Sequence, residues 1–198
     1  MSAMTPHRRD GLTVKKVLRF LALPFRPASL RTWFAVRRFG DIPVEKILQA
    51  GIAGVLVDAD GTLCGNGESR FPDSVVRHVR AMQEKGLKLA IFTNADENRF
   101  QQFAGIGIVT GVAAKPDRRG FEAAMRDYLH LDDPAEVCMI GDNYITDGGA
   151  IDAGMRFIYV EPVAGNENLA HRLTRRLAYF CARRHGGKDF RFLPGGPD

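Results

Sequence analysis

From residue 52 onward, short aliphatic or β-branched runs alternate with amphipathic stretches of helical length. That alternation leaves few folds open, because parallel strands must be joined by crossovers and crossovers of this length are helices covering the sheet. The runs IAGVLVD, LKLAIFTN, GIVTGVAA, EVCMIGD and MRFIYVE predict five strands, at 52–58, 87–94, 107–114, 136–142 and 155–161. Helices are expected near 73–85, 95–103, 117–129 and 146–153. Pro72-Asp73 and Pro116-Asp117 suit helix starts, and Gly86 and Gly154 suit the residue just past a helix end.

An open parallel sheet binds ligands beyond the carboxyl ends of its strands. Those ends carry Asp58 and Asp60, then Thr93 and Asn94, then Lys115, then Asp142 and Asp147. One aspartate in such a place is an ordinary helix cap, the reading given to Asp73, Asp117 and Asp127. Four acids converging on one edge are different, because carboxylates a few ångströms apart cannot all stay ionised without cations. Lys115 supplies one positive charge. A divalent ion with hard oxygen ligands, Mg²⁺, would supply the rest.

DADGT at 58–62, TN at 93–94, KP at 115–116 and GDNYITD at 141–147 resemble, in order, the four motifs of the haloacid dehalogenase (HAD) superfamily. The lead-in DIPVEKILQAGIAG and the continuation GGAIDAGMRFIYVEPVAGNENLAHRLTRRL resemble the YqeG-type phosphatases of HAD subfamily IIIA, a group that includes phosphatidylglycerophosphate phosphatases. The resemblance covers most of residues 24–185. Gly61 departs from it, since that group more often has Asn there.

The resemblance implies an α/β chain with a three-layer Rossmann-like HAD fold and a mainly parallel sheet of about five strands. It also implies a phosphomonoester hydrolase working through an aspartyl-phosphate. Asp58 would be the nucleophile and Asp60 the acid and base. Thr93, Asn94 and Lys115 would bind phosphate. Mg²⁺ would be held by Asp58, the Asp60 main-chain carbonyl, Asp142 and Asp147, the last either through water or by orienting Lys115.

Only 33 residues lie between Asp60 and Asn94, and 20 between Asn94 and Lys115. Each gap is used up by one helix and one strand, so no cap domain is expected, and a large or surface-presented phosphate ester could wall the open site itself.

Charge is distributed unevenly: residues 1–40 hold nine Lys/Arg against one acid, 41–166 hold twelve against nineteen, and 167–198 hold seven against three. The expected organisation is one domain, with a basic helical N-terminal extension at 1–48, the catalytic core at 49–166, and a basic C-terminal helix with a flexible tail at 167–198. In TVKKVLRFLALPF, Val14, Val17, Leu18 and Leu21 fall on one helical face and Lys15, Lys16 and Arg19 on the other, the pattern of an interfacial helix. LRTWFAVRRF and LAHRLTRRLAYFCARR also mix apolar and basic residues, and basic groups near anionic lipid contribute about 1 kcal/mol each. The plainer reading is that these helices turn their apolar faces to the sheet.

The expected substrate is a phosphate monoester, in first place the phospholipid head group of phosphatidylglycerophosphate, with peripheral contact to an anionic membrane. A phosphatase for soluble sugar or nucleotide monophosphates is the alternative within the same chemistry. A nucleic-acid-associated protein with an end-processing or vestigial site is the alternative from another class, and nucleic acid is not the favoured partner. Cys64, Cys138 and Cys181 show no C-x-x-C spacing, no signal peptide is recognisable, and no apolar stretch reaches the roughly 20 residues of a membrane span, so the expected setting is cytoplasmic, at most peripheral on the inner face of a membrane. The five histidines form no metal-binding spacing, and Cys64 is expected to pack rather than react.

Overall fold

The computed structural model describes residues 14–94, 99–103, 105–185 and 191–194. Six strands form one sheet: β1 (Phe34–Val36), β2 (Gly54–Val57), β3 (Lys88–Ile91), β4 (Gly107–Ile108), β5 (Val137–Gly141) and β6 (Arg156–Val160), in the order β1-β6-β5-β2-β3-β4. Every pairing is parallel. The central strands β2 and β5 are buried throughout, as strands covered on both faces must be.

Alternate side chains along the strands feed two cores. Val55, Val57, Ile91, Ile140 and Ile158 pack with α2 (Val44–Gln49) and α3 (Asp73–Glu84). Leu56, Ala90, Met139 and Phe157 pack with α4 (Arg118–Tyr128), α5 (Gly149–Asp152) and α6 (Leu169–His185). The result is three layers, with no further domain inserted among the described residues.

The helix signals act as expected. Pro72 precedes α3, and the Asp117 side chain accepts from the Arg119 N–H at 3.1 Å to cap α4. Gly86 and Gly154 take φ of +91° and +87° past the ends of α3 and α5.

Several expectations need correction. The mainly parallel sheet of about five strands is present and gains a sixth that the five quoted runs do not include: β1, from the Trp33–Phe34 region read as a basic cluster, pairs with β6 through Phe34 and Ile158. Within residues 1–48, expected to be a helical extension, the described part holds α1 (Val14–Ala22), 3₁₀ turns at Leu23–Phe25, Pro27–Leu30 and Phe39–Asp41, β1, and most of α2. The third predicted strand shrinks to β4, since Gly111 at φ +68° turns the chain away from the sheet. Of the helix expected at 95–103, residues 95–98 lie outside the described residues and 99–103 form turns. The tail is tied down at 191–193: the Ala35 N–H donates to Arg191 O at 2.9 Å, and the Leu193 N–H to Ala35 O at 2.8 Å.

Candidate active site

The site grows out of the ends of β2 and β5, adjacent strands in the middle of the sheet. Beyond β2, the Asp58 N–H still donates to Ile140 O at 2.9 Å, so the nucleophile candidate is anchored by the last rung of the ladder. The chain then winds tightly, with the N–H groups of Thr62, Leu63 and Cys64 directed at Ala59 O at 3.2, 2.8 and 3.3 Å. Gly61 sits in this turn at φ +82°, and a Cβ there would lie 2.4 Å from Asp142 Oδ2. Glycine is thus required twice, for its conformation and for the closeness of the two loops.

Beyond β5, Asp142 and Asp147 reach back over β2. Asp58, Asp142 and Asp147, all buried, each offer a carboxylate oxygen within 4.8 Å of the others. Lys115 Nζ bridges two of them, at 2.7 Å from Asp58 Oδ1 and 2.6 Å from Asp147 Oδ1. The other Asp147 oxygen accepts from the Asn143 N–H at 3.1 Å. A Cβ on Gly141 would strike Asp147, so a second glycine makes room for the cluster.

Electrostatics follow from burial. Desolvation, and then the Asp147 charge, push the Asp58 carboxyl up to about 7, against the pull of Lys115. The same two causes hold Asp142 well above the usual carboxylate range. Burial alone would lower Lys115, but the Asp147 and Asp58 charges outweigh it and hold the ammonium above its ordinary value. Three buried carboxylates facing two cations, Lys115 and Arg175, are short of positive charge. Their all-oxygen donor set suits a hard divalent ion such as Mg²⁺.

The remaining expected residues converge less tightly. Thr93 is buried at the end of β3, and Asn94 beside it has a buried Oδ1 with no hydrogen-bond partner among the described residues. The Asp60 carboxylate lies outside the three-acid cluster, its Oδ1 accepting from the Gly67 N–H at 3.1 Å and from Arg99 Nη2 at 2.7 Å.

Two arginines were not foreseen. Arg175, buried on α6, donates from Nη1 to Asp142 Oδ2 at 2.5 Å and from Nη2 to Glu167 Oε2 at 2.7 Å. Glu167 is also bonded to His171 Nδ1 at 2.6 Å, which extends the network outward through a surface histidine. The available signal was a helical spacing: Arg175, Ala178 and Ala182 fall on one face, which is the face that α6 buries. Leu169, Leu173, Leu177 and Phe180 form the opposite stripe and are 46–70% exposed. On α1, Val14, Leu18 and Leu21 are likewise exposed, whereas Arg19, expected to face water, turns inward to Asp152 and to Tyr144 O. The leucine stripes of both terminal helices thus do not face the sheet, although α6 packs Ala178, Ala182, Tyr179 and Cys181, and α1 packs Phe20, against its core. Among the described residues, no helix is long and apolar enough to cross a membrane.

Cys64 and Cys138 are buried, and Cys181 is half-buried. Burial pushes the Cys64 thiol up to about 11, which leaves it a packing group, as expected.

A model of the haloacid dehalogenase-like hydrolases matches residues 69–154, a span that takes in Thr93, Asn94, Lys115, Asp142 and Asp147. The chain is 29% identical over 147 residues to the "Probable phosphatase YqeG" of Bacillus subtilis strain 168, covering 72% of this chain and 83% of that protein. One crystal structure, 13% identical, superposes over 73% of this chain and 88% of its own with a TM-score of 0.54, a likeness of fold. The 3-deoxy-D-manno-octulosonate 8-phosphate phosphatase of Yersinia pestis superposes more loosely, with a TM-score of 0.44 at 19% identity over 73% of this chain and 88% of its own. The family match and the sequence relative agree on one class of chemistry: the chain is a phosphatase, similar over residues 69–154 to the haloacid dehalogenase-like hydrolases.

Proposed function

We propose that this phosphatase removes the terminal phosphate of phosphatidylglycerophosphate, yielding phosphatidylglycerol, while seated on an anionic membrane surface. The lipid assignment is carried by one observation: α1 and α6 turn Val14, Leu18, Leu21, Leu169, Leu173, Leu177 and Phe180 to the outside, beside exposed Arg26, Arg172 and Arg176. Apolar stripes rimmed by arginine favour an interface between acyl chains and anionic head groups. The site is open, with no inserted domain over it among the described residues, which suits a head group presented by a bilayer.

In the proposed mechanism, an Asp58 oxygen attacks phosphorus and the bond to the glycerol oxygen breaks. The leaving oxygen takes its proton from the Asp60 carboxyl. Lys115, bonded to Asp58 and Asp147, orients the nucleophile and balances phosphate charge. Asn94, whose buried Oδ1 has no partner among the described residues, would offer its amide to the phosphate. Thr93 contributes a second polar group at the same strand end. Asp60, now a carboxylate, takes a proton from the water that attacks the aspartyl-phosphate, and Asp58 leaves as carboxylate. Mg²⁺, held by Asp58, Asp142 and Asp147 with the Asp60 main-chain carbonyl, would supply positive charge to the nucleophile and the phosphoryl oxygens.

Phosphate release from phosphatidylglycerophosphate in mixed micelles, beside a panel of soluble phosphomonoesters, tests both halves. The expected result is lipid-selective release that needs Mg²⁺ and falls at least about a thousandfold in Asp58→Asn. Release confined to soluble sugar or nucleotide monophosphates would keep the chemistry and overturn the lipid assignment.

A further inference from the structure

Asp60 is held from one side only. Its Oδ1 accepts from the Gly67 N–H at 3.1 Å and from Arg99 Nη2 at 2.7 Å, while no hydrogen bond engages Oδ2 among the described residues. The Arg99 guanidinium is itself fixed. It sits 5.7 Å from the Phe71 ring centre and 5.5 Å from that of Phe100, two buried rings in contact with each other, and Nη2 also reaches Cys64 Sγ at 3.3 Å. Its Nε is buried with no partner among the described residues, so the group is oriented by the rings and by Asp60 rather than by a web of acceptors. An arginine kept in an apolar slot for one carboxylate oxygen is expensive to retain for packing alone, because aliphatic groups would fill the slot without desolvating a charge.

We infer that Arg99 is a positioning residue for the acid and base step: by holding Asp60 Oδ1 it fixes the carboxyl plane and turns Oδ2 toward the leaving oxygen. The inference rests on the mechanism proposed above. In the first half-reaction the phosphorus–oxygen bond breaks, its electron pair goes to the leaving oxygen, and that oxygen receives the Oδ2 proton. In the second, water gives a proton to the same Oδ2 as its oxygen bonds to phosphorus, and the pair of the phosphorus–Asp58 bond returns to Asp58. Both proton transfers need one oxygen of Asp60 in one place, and a freely rotating carboxyl would present it only part of the time.

Leaving-group dependence separates this role from a structural one. An aryl phosphate such as 4-nitrophenyl phosphate expels a stable phenolate that needs no proton, whereas glycerol phosphate expels an alkoxide that does. Arg99→Met keeps most of the volume beside the rings, and Arg99→Lys keeps the charge but loses the planar guanidinium that lies against the Phe71 and Phe100 rings. The expected result for Arg99→Met is a fall of about a hundredfold in release from glycerol phosphate. The pre-steady-state burst with the aryl ester should change less than about threefold. Arg99→Lys should fall between Arg99→Met and the wild type, and adding Arg99→Met to Asp60→Asn should cost nothing more. Equal losses with both esters, or an additive double variant, would overturn the inference. Asp58→Asn in parallel keeps the two failures apart: if it retains turnover, the aspartyl-phosphate mechanism falls and the role of Arg99 with it.

Discussion

Helices α3 and α6 cover opposite faces of the sheet and do so by opposite means. α3 buries Val76, Val79 and Met82, the ordinary apolar stripe of a helix held by desolvation. α6 buries Arg175, Ala178 and Ala182 and leaves its leucines outside. One is held by the hydrophobic effect. The other joins the core through Ala178 and Ala182, stacks Tyr179 on Tyr159 at 5.1 Å, and adds ion pairs to Asp142 and Glu167. A helix that buries alanines and an arginine has its leucines to spare, and the proposed lipid contact rests on them.

The comparison breaks first at Arg175. Arg175→Ala strands Asp142 and Glu167 without their shared cation and is expected to cost about 3–5 kcal/mol. Met82→Ala on α3 is expected to cost about 2–5 kcal/mol through its cavity. Only the Arg175 loss should shrink when Asp142→Asn is added, since no buried charge is then stranded. Urea unfolding of the single and double variants measures both, and equal behaviour on the two helices would erase the distinction.

A smaller effect comes from pH. A carboxyl that binds its proton more tightly when folded adds stability that is complete below its ordinary value, near ~4, and is lost as pH rises through its folded value. With Asp58 raised to about 7 and Asp142 raised alongside it, the metal-free protein should lose melting temperature between those limits. Mg²⁺ should restore it at the upper end, and Asp58→Asn should flatten the profile. Melts with and without chelator would show whether the cluster is short of positive charge.

The smallest change in stability belongs to the outer face of α6. Leu173→Ser with Leu177→Ser should alter unfolding free energy by no more than about 0.5 kcal/mol. Sedimentation with anionic vesicles should nonetheless weaken about tenfold or more, because each leucine that enters an apolar phase is worth about 1.5–3 kcal/mol. Lost stability with unchanged vesicle binding would return these leucines to the role of sheet cover.

Asp58 and Asp142 were legible because each closes an aliphatic run, and a run of four to five buried residues announces both a strand and where it ends, whereas Asp60 and Asp147 were reached by motif resemblance. Lys115 was legible for the same reason of order, although the strand before it is shorter than its sequence suggests. Arg99 and Arg175 were not. Their partners lie 39 and 33 residues away along the chain, and an arginine reads as a surface residue until the helix or turn bearing it is oriented. β1 was missed because three apolar residues among arginines give too short a period to distinguish strand from helix. Sequence alone left open whether the leucines of α1 and α6 meet a membrane or the sheet, and the rule that leucines point inward fails here because Asp152 and Asp142 hold Arg19 and Arg175 on the inner side.

The pairing of β1 with β6 also sets a timetable. Phe34 emerges early from the ribosome, but its neighbour Ile158 follows more than a hundred residues later, and residues 191–193, which close the other side of β1, come later still. The first strand made is thus among the last to be enclosed. Until then its open backbone can recruit a neighbouring chain, and the arginines at 31, 37 and 38 on either side of it provide charge repulsion while it waits.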